Sequence, residues 1–180
     1  MLLLVDNGSV FTKNIVDFLS SNKIYHTTQK FDNVKLEHLH KFDSIILSGR
    51  RHNDQQMNAL NSKIIQHCIS AKKPLLGICY GAEILALTVG GTIRKMSSIQ
   101  KGSDTVQIMQ KNPICNGIIQ VYQSHNFEIS SLGRSLVQLG SSNSCKYEVI
   151  QYQDSKIFGT QFHPEMTPDG LNIIEKFVRL

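Results

Sequence analysis

Nucleophilic attack on a carbonyl carbon takes three groups: an activated thiol or hydroxyl, a base within reach of it, and a third group that orients the base. This sequence offers a candidate for each in two short segments. The first is Gly77-Ile78-Cys79-Tyr80-Gly81, which has the Gly-x-nucleophile-x-Gly form of a sharp turn from strand to helix. Flanking glycines allow a tight turn and close backbone approach, so the central side chain is presented at the carboxyl end of a strand. A cysteine there also stands at a helix N-terminus. Unpaired amides and the positive end of the helix dipole then favour thiolate, the form that attacks a carbonyl carbon.

The second segment supplies the base. Seven histidines are present, and one ends an apolar run abruptly, in Gly159-Thr160-Gln161-Phe162-His163-Pro164-Glu165. Pro164 fixes its own φ and biases His163 toward an extended backbone. That stiffness can hold imidazole and carboxylate in constant relation, with Glu165 on one ring nitrogen and the other facing the thiol. Cys68, Cys115 and Cys145 lie in no such turn and read as small buried hydrophobes. His38 and His40 are two residues apart with no cysteine or carboxylate cluster at zinc spacing, so no metal site is expected.

The elements that must carry these residues follow from apolar patterning. Short apolar runs at 2–5, 24–28, 44–47 and 74–78 predict strands. Between them, Val10, Phe11, Ile15, Phe18 and Leu19 fall at helical spacing, a weaker helical segment covers 33–40, and a helix is expected over 55–70 after a loop at 48–53. A further helix follows Cys79 and stops at Gly90-Gly91. Continuous rather than alternating apolarity, with helices between, predicts an α/β fold with a doubly wound, mostly parallel sheet. After Gly91 the texture changes: runs at 105–109, 118–122, 136–139, 147–152 and 156–162 predict additional antiparallel strands, before a last helix near 171–178.

Bulk properties bound the rest. A chain of 180 residues is expected to form one domain, 1–180, and 41% hydrophobic against 18% charged residues is a globular composition. The opening Met1-Leu2-Leu3-Leu4-Val5 breaks at Asp6-Asn7-Gly8, too short for a signal-peptide core, and no run approaches the ~20 apolar residues that cross a bilayer. A cytoplasmic protein with reduced thiols and no membrane contact is therefore expected. The net charge of +5 is scattered, with local pairs only at Arg50-Arg51 and Lys72-Lys73, so no nucleic-acid footprint is expected.

Taken together, the two segments resemble class I, triad-type glutamine amidotransferases. The likeness extends to Leu3-Leu4-Val5-Asp6-Asn7-Gly8-Ser9, Ile45-Ile46-Leu47-Ser48-Gly49, Gly90-Gly91 and Ser124-His125. It implies a flavodoxin-like fold and catalytic roles for Cys79, His163 and Glu165. By the same resemblance the backbone amides of Tyr80 and of the Gly49-Arg50 segment form the oxyanion hole, and Glu83, Ser124 and His125 contact substrate glutamine. Within the family the pattern looks most like the amidotransferase subunit of a split GMP synthetase. That implies, as partner, a separate synthetase subunit of the ATP-pyrophosphatase type, with ATP and Mg on the partner and no cofactor on this chain. The runner-up, the small subunit of anthranilate or aminodeoxychorismate synthase, usually carries Leu where Tyr80 stands.

Three positions depart from the pattern. The family usually continues Ser-Gly-Gly-Pro where this chain has Ser48-Gly49-Arg50-Arg51; a glycine-only conformation would cost Arg50 about 1–3 kcal/mol. Such a loop is expected to await docking of the partner, or to offer Arg50 or Arg51 to an acidic group on it. Glu83 stands where a glutamine is usual, and an ionised carboxylate accepts hydrogen bonds without donating them. Ser124-His125-Asn126-Phe127 lacks the acidic residue of the GMP synthetase type. These departures keep two other readings open: a non-catalytic binding module of the same fold, and a stand-alone cysteine hydrolase of γ-glutamyl or peptide bonds.

Overall fold

The computed structural model describes all 180 residues as one nine-stranded sheet covered by four helices. The strands are β1 (Leu2–Asn7), β2 (His26–Lys30), β3 (Ser44–Arg50), β4 (Leu75–Ile78), β5 (Thr92–Ile108), β6 (Ile118–Ser131), β7 (Leu136–Ser141), β8 (Val149–Tyr152) and β9 (Ile157–Thr160). The helices are α1 (Thr12–Ser21), α2 (Gln55–Ser70), α3 (Tyr80–Thr88) and α4 (Pro168–Val178). In space the strands run β2-β1-β3-β4-β9-β8-β7-β5-β6. The first five are mutually parallel, and every pairing from β9 to β6 is antiparallel.

Burial explains why the parallel strands read as unbroken apolar runs. Successive side chains of a strand point to opposite faces, and here both faces are covered. Leu2, Leu4, Ile46, Leu76, Ile78 and Phe158 pack with Ile15 and Leu19 of α1 and Ile173, Ile174 and Phe177 of α4. On the other face Leu3, Val5, Ile45, Leu47 and Leu75 pack with Met57, Ile64 and Ile65 of α2 and Ile84 and Leu85 of α3. Each fully buried aliphatic side chain contributes about 1.5–3 kcal/mol of transfer free energy, so this double cover holds the strand ends that carry the site.

The α/β, doubly wound expectation agrees with the structure, and several boundaries are corrected. The segment expected to be helical over 33–40 is two short 3₁₀ turns, Phe31–Asn33 and Leu36–Lys41. Ser48 to Arg50, expected in a loop, complete β3, with a register irregularity against β1 between Val5 and Asn7. The largest difference is the β5/β6 pair, read as two five-residue strands and found to be 17 and 14 residues long. Most of β5 is exposed or half-buried, so it carries little apolar signal and its pairing comes from backbone hydrogen bonds.

Candidate active site

β4 runs into α3 through Cys79, whose φ of 51° and ψ of −103° are a strained choice for a residue with a side chain. The flanking glycines are required by contact rather than by their own torsions. A Cβ on Gly77 would lie 2.4 Å from the Gly81 carbonyl oxygen, and one on Gly81 would lie 2.6 Å from that of Leu47. Cys79 N donates to Thr160 O at 2.7 Å, tying the turn to the end of β9. The amides of Tyr80 and Gly81 open α3, where a helix has no internal acceptor for them.

Three residues beyond β9, His163 N donates to Tyr122 O at 2.9 Å, and Pro164–Met166 form a 3₁₀ turn. Glu165 Oε1 lies 2.8 Å from His163 Nδ1, with both side chains almost wholly buried. Phe11 packs edge-on against the imidazole, ring centres 4.7 Å apart. The ring also lies against Gly49, where a Cβ would come within 3.0 Å of His163 Cε1. Gly170 lets α4 seat beneath the turn, since a Cβ there would fall 2.2 Å from Pro164 O.

The histidine and cysteine perturb each other directly. Burial pushes the Cys79 thiol up, opposed by His163 and reinforced by Glu83 and Glu165. At His163 burial favours the neutral ring, but the pull of Cys79 and then of Glu165 outweighs it and raises the imidazole to about 10. Cys79, His163 and Glu165 are thus brought to one buried place, with Glu165 on the Nδ1 side of the ring.

Cys79 opens into a cavity of about 340 Å³, lined also by Tyr80, Glu83, Arg50, Ser124 and His125. Glu83 is buried, and its Oε1 accepts from Gln161 Nε2 at 3.3 Å. Burial pushes its carboxyl up, against the pull of Arg50. His125 meets the cavity as a wall. Its Nδ1 donates to Phe127 O at 2.7 Å and its Nε2 lies 3.0 Å from Gln123 Oε1, so both ring nitrogens are engaged within the chain.

Arg50 needs no glycine-only backbone, because it ends β3 and its φ is not positive. Its guanidinium stacks 4.2 Å from the Tyr80 ring centre and donates to Asn53 Oδ1 and Asn58 Oδ1 at 2.5 and 3.0 Å. Arg50 is thus bound within the molecule, while Arg51 is exposed at the cavity mouth. Sequence reasoning passed over Gln161, Asn58 and Asn61. Gln161 offered a signal, as a polar residue inside an apolar run; the two asparagines on α2 gave none.

No three His, Cys, Asp or Glu side chains gather as metal ligands, and no helix is long and apolar enough to cross a membrane.

Comparison with known proteins places this geometry. Residues 3–180 match the family model described as glutamine amidotransferase class-I. A glutamine-hydrolyzing GMP synthase subunit of Pyrococcus furiosus is 28% identical over 189 residues, covering 100% of this chain and 98% of that one. The glutamine-hydrolyzing GMP synthase of Salmonella typhimurium is 24% identical over 193 residues, and the chain spans only 36% of its length. Among solved structures, a protein assigned as a GMP synthase subunit from Thermoplasma acidophilum superposes with a TM-score of 0.87 at 27% identity, covering 99% of this chain and 92% of that one. A glutamine amidotransferase of Thermotoga maritima, with a TM-score of 0.82 at 17% identity and 99% and 98% coverage, shares the fold.

Proposed function

The chain belongs to the class-I glutamine amidotransferases, and from that premise we propose that it hydrolyses glutamine to glutamate and ammonia through Cys79, His163 and Glu165, and delivers the ammonia to a separate synthetase subunit. One observation carries the reading. The Cys79 thiol, held in a positive-φ elbow, is coupled to a buried imidazole whose far nitrogen is fixed 2.8 Å from Glu165.

The chemistry follows from these positions. His163 takes the thiol proton, and the Cys79 sulfur forms a bond to the side-chain amide carbon of glutamine. The carbonyl electrons move onto oxygen, which the main-chain amides of Tyr80 and of the Gly49-Arg50 segment receive. When the oxyanion collapses, the C–N bond breaks and His163 gives its proton to the departing ammonia, leaving a glutamyl thioester. Water, deprotonated by His163, then cleaves the thioester to glutamate and restores the thiol. Glu165 keeps the ring in the tautomer that presents Nε2 throughout.

Likeness to these GMP synthase subunits supports a further assignment: the acceptor is XMP, aminated to GMP on a partner that binds ATP and Mg, in the cytoplasm. One objection to catalysis loses force, since Arg50 adopts an ordinary strand backbone. The test is ammonia and glutamate formation from glutamine by the purified chain, with and without the ATP-dependent synthetase subunit from the same source. Release that rises when the partner and XMP are added supports the full assignment. Release indifferent to both leaves a stand-alone hydrolase, and no release in either condition removes the enzymatic reading.

A further inference from the structure

Two segments that the proposed mechanism needs at a fixed separation, the end of β3 and the start of α3, are joined by a side chain. Arg50 leaves β3 and lays its guanidinium over the Tyr80 ring, 4.2 Å from the ring centre. Asn58 of α2 closes the circuit: its Oδ1 accepts from Arg50 Nη1 at 3.0 Å and from the Tyr80 hydroxyl at 2.9 Å. Asn53 Oδ1 braces the arrangement, accepting from Arg50 Nη1 at 2.5 Å and from Asn58 Nδ2 at 3.1 Å.

The residues before Arg50 are held from the other side. Asn7 N donates to Ser48 Oγ at 2.9 Å, Asn7 Nδ2 to Ser48 O at 3.1 Å, and Asn61 Nδ2 to Asn7 Oδ1 at 2.8 Å. Ser48 Oγ in turn donates to Gly49 O at 2.9 Å, which fixes the plane of the peptide that carries the Arg50 amide. From Arg50 the guanidinium then reaches across to the Tyr80 ring.

We propose that the Arg50 side chain is a positioning residue for glutamine hydrolysis, clamping its own main-chain amide and that of Tyr80 at the spacing that receives the oxyanion. The proposal rests on the amidotransferase reading above. A guanidinium suits the task because it is flat, stacks on an aromatic face and donates in its own plane at the same time. A lysine ammonium at this position can supply charge but cannot stack and fork together. A clamp that acts on the transition state changes kcat, whereas a residue that merely binds glutamine changes KM.

The experiment compares kcat and KM for glutamine in the unsubstituted chain, Arg50→Ala, Arg50→Lys and Tyr80→Phe, each assayed with its synthetase partner, and adds guanidinium chloride at millimolar, non-denaturing concentration. Arg50→Ala is expected to lower kcat by roughly 10- to 100-fold with KM changed less than about threefold, the size expected when an oxyanion donor is displaced. Guanidinium should restore part of that loss in Arg50→Ala. Arg50→Lys should stay impaired, and Tyr80→Phe, which loses the hydroxyl bonds to Asn58 and Asn61 but keeps the ring, should lose about threefold in kcat. Thermal melts identify a variant that has failed to fold, and Tyr80→Phe then carries the test. An unchanged kcat in Arg50→Ala, full activity in Arg50→Lys, or a loss confined to KM overturns the clamp. Silence of the unsubstituted chain instead removes the amidotransferase reading, and the clamp with it.

Discussion

The two halves of the sheet are built to different standards, and the candidate site lies where they meet. In the parallel half, the four residues of β4 and the four of β9 are all buried; Cys79 follows β4 directly and His163 lies three residues beyond β9. In the antiparallel half, β5 runs for 17 residues with only Val106 and Ile108 buried, and Ile99 stands 66% exposed beside the cavity. The groups that the proposed mechanism brings together sit on the buried side, and the polar, exposed side supplies a wall. Rigid support of reacting groups is what catalysis by positioning requires; a wall can vary without disturbing them.

The sharpest test of this contrast is a pair of shape-conserving changes on either side of the seam. Glu165→Gln keeps the turn but removes the charge that holds His163, and should lower kcat by roughly 10²- to 10⁴-fold in a glutaminase assay. Ser124→Ala, on the wall, should change kcat less than about tenfold and act mainly on KM. Comparable losses in the two would dissolve the contrast.

Glycines give the next largest difference. Gly81→Ala forces a Cβ to within 2.6 Å of the Leu47 carbonyl, and should destabilise by roughly 2–4 kcal/mol in urea titration. Gly102→Ala in β5 meets nothing within 4 Å and suffers only its φ of +117°, so about 1–2 kcal/mol is expected there.

A third prediction compares two of the buried carboxyls, Glu165 and Glu148. Glu165 has an imidazole partner, whereas Glu148, fully buried next to β8, has none: its Oε1 accepts from Gln123 and Ser142, and its Oε2 has no partner. Burial pushes Glu148 up to about 7, with Asp104 and Glu128 adding to the shift. A carboxyl whose folded value is raised holds its proton more tightly in the native state. Its contribution to stability is therefore complete below about pH 4.5 and lost as pH rises through 7, on the order of 3 kcal/mol in all. Glu148→Gln should flatten that decline, read from melting temperatures between pH 5 and 8; an equally steep decline would show that other groups cause it. The smallest effect is expected at the surface of the hairpin, where Ile99→Ser should change stability by no more than about 0.5 kcal/mol.

How much of this was legible in the sequence depended on burial. The parallel half announces itself because Leu2 to Val5 and Leu75 to Ile78 are covered on both faces, which leaves continuous apolar runs. The elbow and the His-Pro-Glu turn were legible because glycine and proline there answer local steric demands that no other residue meets. The long β5 and β6 were not, since backbone pairing between exposed strands leaves no periodic apolar mark. The Arg50-Tyr80-Asn58 circuit was equally hidden, joining residues 8 and 22 positions apart that only packing brings together. The upward push on the Glu83 carboxyl comes from its burial, which side-chain type does not reveal.

The most direct test of the central claim is to look for the covalent intermediate. Intact-mass measurement after rapid acid quench, with glutamine as substrate, should show a glutamyl adduct on the peptide bearing Cys79 in the unsubstituted chain and none in Cys79→Ala, which should also release no ammonia. Glutamine turnover that persists in Cys79→Ala, or an adduct on Cys68, Cys115 or Cys145 instead, would contradict the account.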